Sequence, residues 1–214
     1  MSYAGDMKAR LPATMSLPAE FEALFDWIEA NDFFMPSQRF AGDRLGMLGP
    51  ADDEERVTII LFRIETRAQA QATGDAWFRG SVPDIADRLA VFARSGGDGS
   101  HVAFWIDDQG RQEIVHLGSE GRVGVLTPTP LDFLRLLGIG YEEISGDCLD
   151  APDEPPDDQD GDRDTSNEAY RSWLTGRYGV TIPRTASEVM NDIPHALAKT
   201  SHDPFWNWVR RHQG

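Results

Sequence analysis

The residues best suited to chemistry in this chain are its carboxylates and histidines, and the densest group is Asp158, Asp160, Asp162 and Asp164 around Gly161. A calcium loop of the D-x-D-x-D-G type draws oxygens from alternate positions and closes with a bidentate Glu at its twelfth. With Gly161 as the loop glycine, Asp158 and Asp160 fall where ligands belong, but Pro156 takes the first position and Asn167 the twelfth. Both ends are wrong for calcium. A solvated acidic tract is the better reading, and no metal site is assigned.

The other candidates fare similarly. Gly96, Gly97 and Gly99 have the composition of a phosphate loop, but they are predicted to follow a helix and precede a strand, the reverse of a dinucleotide-binding order. Asp98 among them would repel a phosphate, so the cluster reads as a turn. His101 and His116 fall on two predicted strands where they could face each other, yet no third metal ligand with suitable spacing accompanies them. They read as partly buried, hydrogen-bonded strand residues. Cys148 sits between Asp147 and Asp150, whose charge opposes thiolate formation. Ser119, in Gly118-Ser119-Glu120-Gly121, lacks the spacing of a nucleophile elbow and reads as a turn serine. No catalytic residue and no cofactor site follows from these patterns.

The elements that would position these residues show in the periodicity. Phe21, Leu24, Phe25 and Ile28 recur at helical spacing behind Pro18. Val57 to Phe62 is a β-branched, apolar run expected to form a core strand within 56–64. Ser81, Pro83, Ile85, Leu89 and Phe92 predict a helix over 82–94. Residues 101–106 and 112–117 are apolar runs joined by Asp107-Asp108-Gln109-Gly110, the signature of an antiparallel hairpin, and 123–126 predicts a further strand. Pro130, Leu131, Phe133, Leu134 and Leu137 predict a helix closed by Gly138 and Gly140. Tyr170, Trp173 and Leu174 mark another helix within 167–177. Asp203 and Pro204 open a last one carrying Phe205, Trp208 and Val209, expected to dock on the main body or on the Trp173 helix.

Composition bounds the rest. With 214 residues, 40% of them hydrophobic and six Trp, the chain can bury an ordinary core. Its formal charge of −16 argues against a phosphate-binding surface and so against direct nucleic-acid binding. Half of that charge lies between Asp147 and Asp164, where nine acidic residues face the single Arg163. This predicts a linker and places boundaries at 1–16 (an N-terminal tail), 17–146 (the main domain), 147–166 (the acidic linker) and 167–214 (a helical extension). Cys148 is the only cysteine, which fits a reducing cytoplasm. Neither an export signal nor a membrane span is predicted.

In that order the elements resemble the SUKH superfamily, which includes the fungal Smi/Knr proteins. The resemblance rests on Leu17-Pro18 with Phe21 and Trp27, on Gly97-Asp98-Gly99-Ser100 leading into Ala103-Phe104-Trp105-Ile106-Asp107, on Ile114-Val115-His116-Leu117-Gly118-Ser119-Glu120-Gly121, and on Leu131-Asp132-Phe133-Leu134 with Gly140-Tyr141. It spans about residues 17–144; Trp173-Leu174 through Ile182-Pro183 looks like the extension of some bacterial members. Asn31-Asp32-Phe33 departs from the Asn-Gly-Gly turn of many members. The resemblance implies an α+β fold, an antiparallel sheet packed by helices, here with a small helical C-terminal extension.

It also implies a non-enzymatic binding protein. Bacterial members neutralise polymorphic toxins, often nucleases or deaminases, and an acidic inhibitor suits the basic surface of such a toxin. An immunity protein is therefore the first expectation, and a regulatory or scaffold module recruiting an unrelated protein is the alternative. Asp98, Trp105, Asp107, Asp108 and Glu120 are the expected contact residues. For Trp105, and likewise for Trp77, core packing competes with this role, because strand alternation would bury either Val102, Phe104 and Ile106 or Ala103 and Trp105.

Overall fold

Alternate residues of a strand point to opposite faces, so a strand apolar at every position must be covered twice. Residues 101–106 make that demand: Val102, Ala103, Phe104 and Trp105 are all at 2% exposure or less. The computed structural model describes residues 2–38, 42–52, 58–156 and 167–212, and it meets the demand with an α+β fold. Seven antiparallel strands lie in chain order: β1 (Phe34–Pro36), β2 (Arg44–Gly46), β3 (Leu61–Phe62), β4 (Leu89–Arg94), β5 (His101–Ile106), β6 (Gln112–Leu117) and β7 (Val123–Thr127). The helices are α1 (Tyr3–Arg10), α2 (Ala19–Ala30), α3 (Arg67–Phe78), α4 (Pro130–Ile139), α5 (Gly146–Asp150), α6 (Glu168–Tyr178) and α7 (Pro204–His212).

On one face α2 and α4 press aromatic side chains onto the sheet. Phe21 meets Phe92 at 4.8 Å and Phe104 at 5.0 Å edge-on, and stacks on Phe133 at 5.5 Å. The same cluster takes in Tyr170 and Leu174 of α6. The helix α6 also completes α4: Tyr170 donates to the Leu134 carbonyl at 2.8 Å, and Arg171 donates to those of Gly138 and Ile139 at 2.7 and 2.8 Å. The Gly138 and Ile139 carbonyls are among those that a helix end leaves without partners.

The opposite face is closed by α3 and α7. Trp105 meets Phe205 at 5.1 Å and Trp208 at 5.7 Å, and Phe78 meets Trp208 at 5.1 Å. Asp203 fastens α7 in place, one carboxylate oxygen accepting from Trp206 N at 2.7 Å as a helix cap and the other from Val125 N on β7 at 2.8 Å. Of the two docking places expected for this helix, the main body is the one observed.

The hairpin of β5 and β6, the strand at 123–127 and the helices at 19–30, 130–139 and 168–178 lie where the sequence places them. The helix expected over 82–94 does not form. Asp84 takes a left-handed conformation, Ile85–Asp87 makes a single 3-10 turn, and β4 follows between β3 and β5. Its register shifts between Val91 and Ala93, so Phe92 and Ala93 both join the α2 face while Leu89 and Val91 join the other. The spacing of Ile85, Leu89 and Phe92 mimics one helix face, but in the structure Ile85 and Leu89 pack on one side of the sheet and Phe92 on the other. The strand expected over 56–64 shortens to Leu61–Phe62, with 53–57 outside the described residues, though Arg63 N still donates to the Phe92 carbonyl at 2.8 Å.

The N-terminal tail is in fact the helix α1, capped by Ser2, with Tyr3 and Met7 buried. Eight residues cannot sustain a helix alone, so docking stabilises it. Tyr3 donates its hydroxyl to the Phe62 carbonyl at 2.6 Å and accepts from Gly46 N at 3.1 Å. The acidic segment also begins as structure, since α5 buries Cys148 and Leu149; 157–166, with the calcium-like run, lie outside the described residues.

A charge cluster pins α1 to the sheet. Asp43 lies 2.9 Å from Arg10 and 2.6 Å from Arg63, with side-chain exposures of 19%, 15% and 6% respectively. The Arg10 hydrogen bond, helped by Arg63 and opposed by partial burial, holds the Asp43 carboxyl below the usual carboxylate range. A depressed folded pKa means that its contribution is complete above the unfolded value of about 3.9 and is lost as pH falls through the lower folded value. Asp43→Asn should therefore cost about 2 kcal/mol near neutral pH. In urea denaturation, its gap from the unmodified chain should narrow below about pH 4.

Candidate protein-contact surface

The strands bring several turns to each end of the sheet. At one end lie the β4–β5 turn (95–100), the β6–β7 turn (118–122) and the segment 142–146; at the other lies the β5–β6 tip (107–111). Gly96, Gly97 and Gly99 belong to a hairpin turn between two strands, not to the expected junction of helix and strand, because β4 replaces that helix. Gly99 has φ +99°, a conformation that favours glycine.

Asp98 and Glu120, both expected as contacts, are brought together here. Asp98 accepts from Ser100 N at 2.9 Å and from the Ser119 hydroxyl at 2.7 Å. Glu120 reaches His116 Nε2 at 2.9 Å, and its other oxygen lies 2.9 Å from the Ser100 hydroxyl, which is also 2.9 Å from Asp98. A serine hydroxyl has one proton. Ser119 serves Asp98, and the Ser100 proton is left between two carboxylates that both seek it. Burial opposes charge on Asp98, but the bonds from Ser119 and Ser100 hold its carboxyl below the usual range. Glu120 likewise stays low against burial, through His116. Gly118 makes this possible, because a β carbon there would collide with the Glu120 carboxylate.

His116 is fully buried on β6 opposite Val102, whereas His101 pairs with Leu117. Their side chains therefore leave the sheet on opposite faces, and the two do not face each other as a metal pair would. Cys148 is buried, and burial pushes its thiol up to about 12, so it is an inert thiol.

Trp105 is no contact residue. At 2% exposure it lies beneath α7, and both strand faces are covered rather than one. Asp107 is also turned inward, with a side-chain exposure of 3%. It accepts from Gln109 N and Arg111 N at 2.8 Å and from Arg111 Nε at 2.7 Å, which ties the tip and, against burial, keeps its carboxyl low. Asp108 is half-exposed and joins Arg88 at 2.8 Å and Arg211 at 3.0 Å, fastening α7 to the tip. Asp98 and Glu120 thus share one end of the sheet, and Asp107 and Asp108 share the other.

Sequence reasoning missed Glu143 and Ser145, which reach the same end from the segment after α4. Glu143 accepts from Gly97 N at 2.8 Å, and Ile144 N donates to the Ser95 carbonyl at 2.8 Å. No periodicity marks them. Beside them Ser119 also lines an open cleft of about 470 Å³ with Ala76, Trp77 and Arg79 at the end of α3. Trp77 is half-buried there, whereas its neighbour Phe78 is in the core.

Comparison with protein-family models, with curated proteins and with solved structures finds no match. Among the described residues no helix is long and apolar enough to cross a membrane, and no group of three or more His, Cys, Asp or Glu side chains could hold a metal ion.

Ser100 is the bridge of the network. Ser100→Ala should lower stability by about 1–3 kcal/mol in urea denaturation, because it removes the donor between two carboxylates. It should also speed hydrogen exchange at the Ser119 amide, which donates to the Ser100 hydroxyl at 3.1 Å.

Proposed function

We propose that this protein is an immunity protein that neutralises a toxin of nuclease or deaminase type by stoichiometric binding in the cytoplasm. The observation that carries the reading is the gathering of Asp98, Glu120 and Glu143 at one end of the sheet, in a chain of net charge −16. Among the described residues none of the three meets an arginine or lysine in an ion pair, and Glu120 meets His116. By contrast, Asp43 and Asp108 are each matched by two arginines of the same chain. An unmatched acidic end steers and holds a basic partner. A toxin that acts on nucleic acid carries such a basic surface, since phosphate contacts dominate its affinity. The likeness of the element order to the SUKH superfamily points the same way, and the antiparallel sheet packed by helices agrees with the fold that this likeness implies.

The experiment is co-expression with a nuclease or deaminase toxin domain, sought first among those encoded beside this chain. Cells making the toxin should survive only when this chain is made as well, and the purified pair should form a one-to-one complex. Its affinity should fall about tenfold or more between 50 and 500 mM salt, as screening weakens complementary charge. Survival without complex formation, or binding indifferent to salt, would overturn the reading.

A further inference from the structure

The open cleft of about 470 Å³ is lined by Ala76, Trp77 and Arg79 from the end of α3 and by Ser119 from the β6–β7 turn. Small-molecule sites run from about 300 to 1,000 Å³ and combine apolar or aromatic walls with a few polar groups that orient the ligand. This cleft has both kinds of group. Trp77 is half-buried and packs against the apolar cluster that holds Phe78 and Trp208, so the core fixes its position while part of its surface stays open to the cleft.

Arg79 is the polar group, and its backbone is strained. As the C-cap of α3 it takes a left-handed conformation, φ +52° and ψ +34°, which L side chains adopt reluctantly and which the next residue, Gly80 at φ +69°, adopts freely. Its side chain is exposed and makes no hydrogen bond, ion pair or ring contact among the described residues. Arginines nearby in the sequence are engaged: Arg67 on Asp87, Arg88 on Asp108 and Arg94 on the Gly96 carbonyl. A cation at a helix C-terminus is favourable in itself, but the last helical turn offers that benefit without the left-handed strain.

We infer that this cleft binds a small molecule made of a flat aromatic ring and a single carboxylate. The ring packs on Trp77 and Ala76, where an aromatic pair gains beyond the area it buries. The carboxylate takes the Arg79 fork through two parallel N–H bonds, a geometry that a neutral amide does not match. Asp98 sets the charge. It accepts from the Ser119 hydroxyl at 2.7 Å and so places a negative charge behind that wall, which confines the ligand's carboxylate to the Arg79 end and disfavours a phosphate monoester with its greater charge. The site needs no partner protein, so it stands or falls apart from the toxin reading.

The test uses the full chain, isotope-labelled, titrated with cinnamate and followed by amide and indole N–H NMR shifts. Saturable shifts are expected at Trp77, Arg79, Gly80 and Ser119, and at the Trp77 indole. The neutral cinnamamide and the non-aromatic cyclohexanecarboxylate should each bind about tenfold more weakly, and Arg79→Gln should weaken cinnamate by a similar factor with its spectrum still dispersed. Arg79→Gly should lose the binding yet raise the urea midpoint, because glycine relieves the left-handed strain. The inference is overturned by an absence of saturable shifts, by shifts centred away from the cleft, by equal affinity for cinnamamide, or by undiminished affinity in Arg79→Gln. A lowered midpoint in Arg79→Gly would overturn it too, since the fold itself would then account for the arginine.

Discussion

The helices that cover the sheet answer to the fact that β5 is apolar on both sides. Val102 and Phe104 need one cover, Ala103 and Trp105 another, and leaving either side chain set in water would forfeit about 25 cal/mol for each Å² of apolar surface. Two covers require two sets of helices. That is why α2, α4 and α6 gather Phe21, Phe133 and Tyr170 on one face, while α3 and α7 bring Phe78, Phe205 and Trp208 to the other. The chain must therefore travel from α6 back across the molecule to reach the second face. Asn191 N, donating to the Leu126 carbonyl at 2.9 Å, and Val123 N, donating to that of Pro194 at 3.1 Å, hold that return path along the edge of β7.

With both faces closed, the sheet carries its charged turns at its two ends. The charged turns at its two ends are built differently. At the 107–111 tip the carboxylates are spent within the chain, Asp107 on Arg111 and Asp108 on Arg88 and Arg211. At the opposite end they are packed against serines, a buried histidine and each other, and glycines at 96 and 118 make the room for them. One end is a staple and the other an acidic surface with acceptors to spare.

Much of this was legible in the sequence, for reasons that differ by element. Phe21 to Ile28 and Leu131 to Leu137 follow the helical repeat, and Asp107 to Gly110 is a turn of few alternatives, so these places were readable without tertiary knowledge. Residues 89–94 were not, because the strand is buried on both faces and shows no apolar alternation, and only pairing with β3 and β5 makes it a strand. Residues 67–78 and 3–10 have little apolar periodicity; Gly74 in α3 marks the close approach of Ile85, a contact no local pattern encodes. At the candidate surface Asp98 and Glu120 could be named one by one. That a single serine hydroxyl lies between them, and that Glu143 and Ser145 arrive from beyond α4, depends on strand register. Trp105 was misread as a contact because composition alone did not show that both faces are covered.

On the proposed reading, the double-covered sheet presents its 95–100, 118–122 and 142–146 end to a basic partner. Amide hydrogen exchange, compared along the chain free and saturated with its cognate toxin, tests this most directly. New protection is expected in those three segments, with α7 and the 107–111 tip unchanged. Protection confined to α7 or to the tip, with none at Gly97, Ser100 and Ser119, would contradict it.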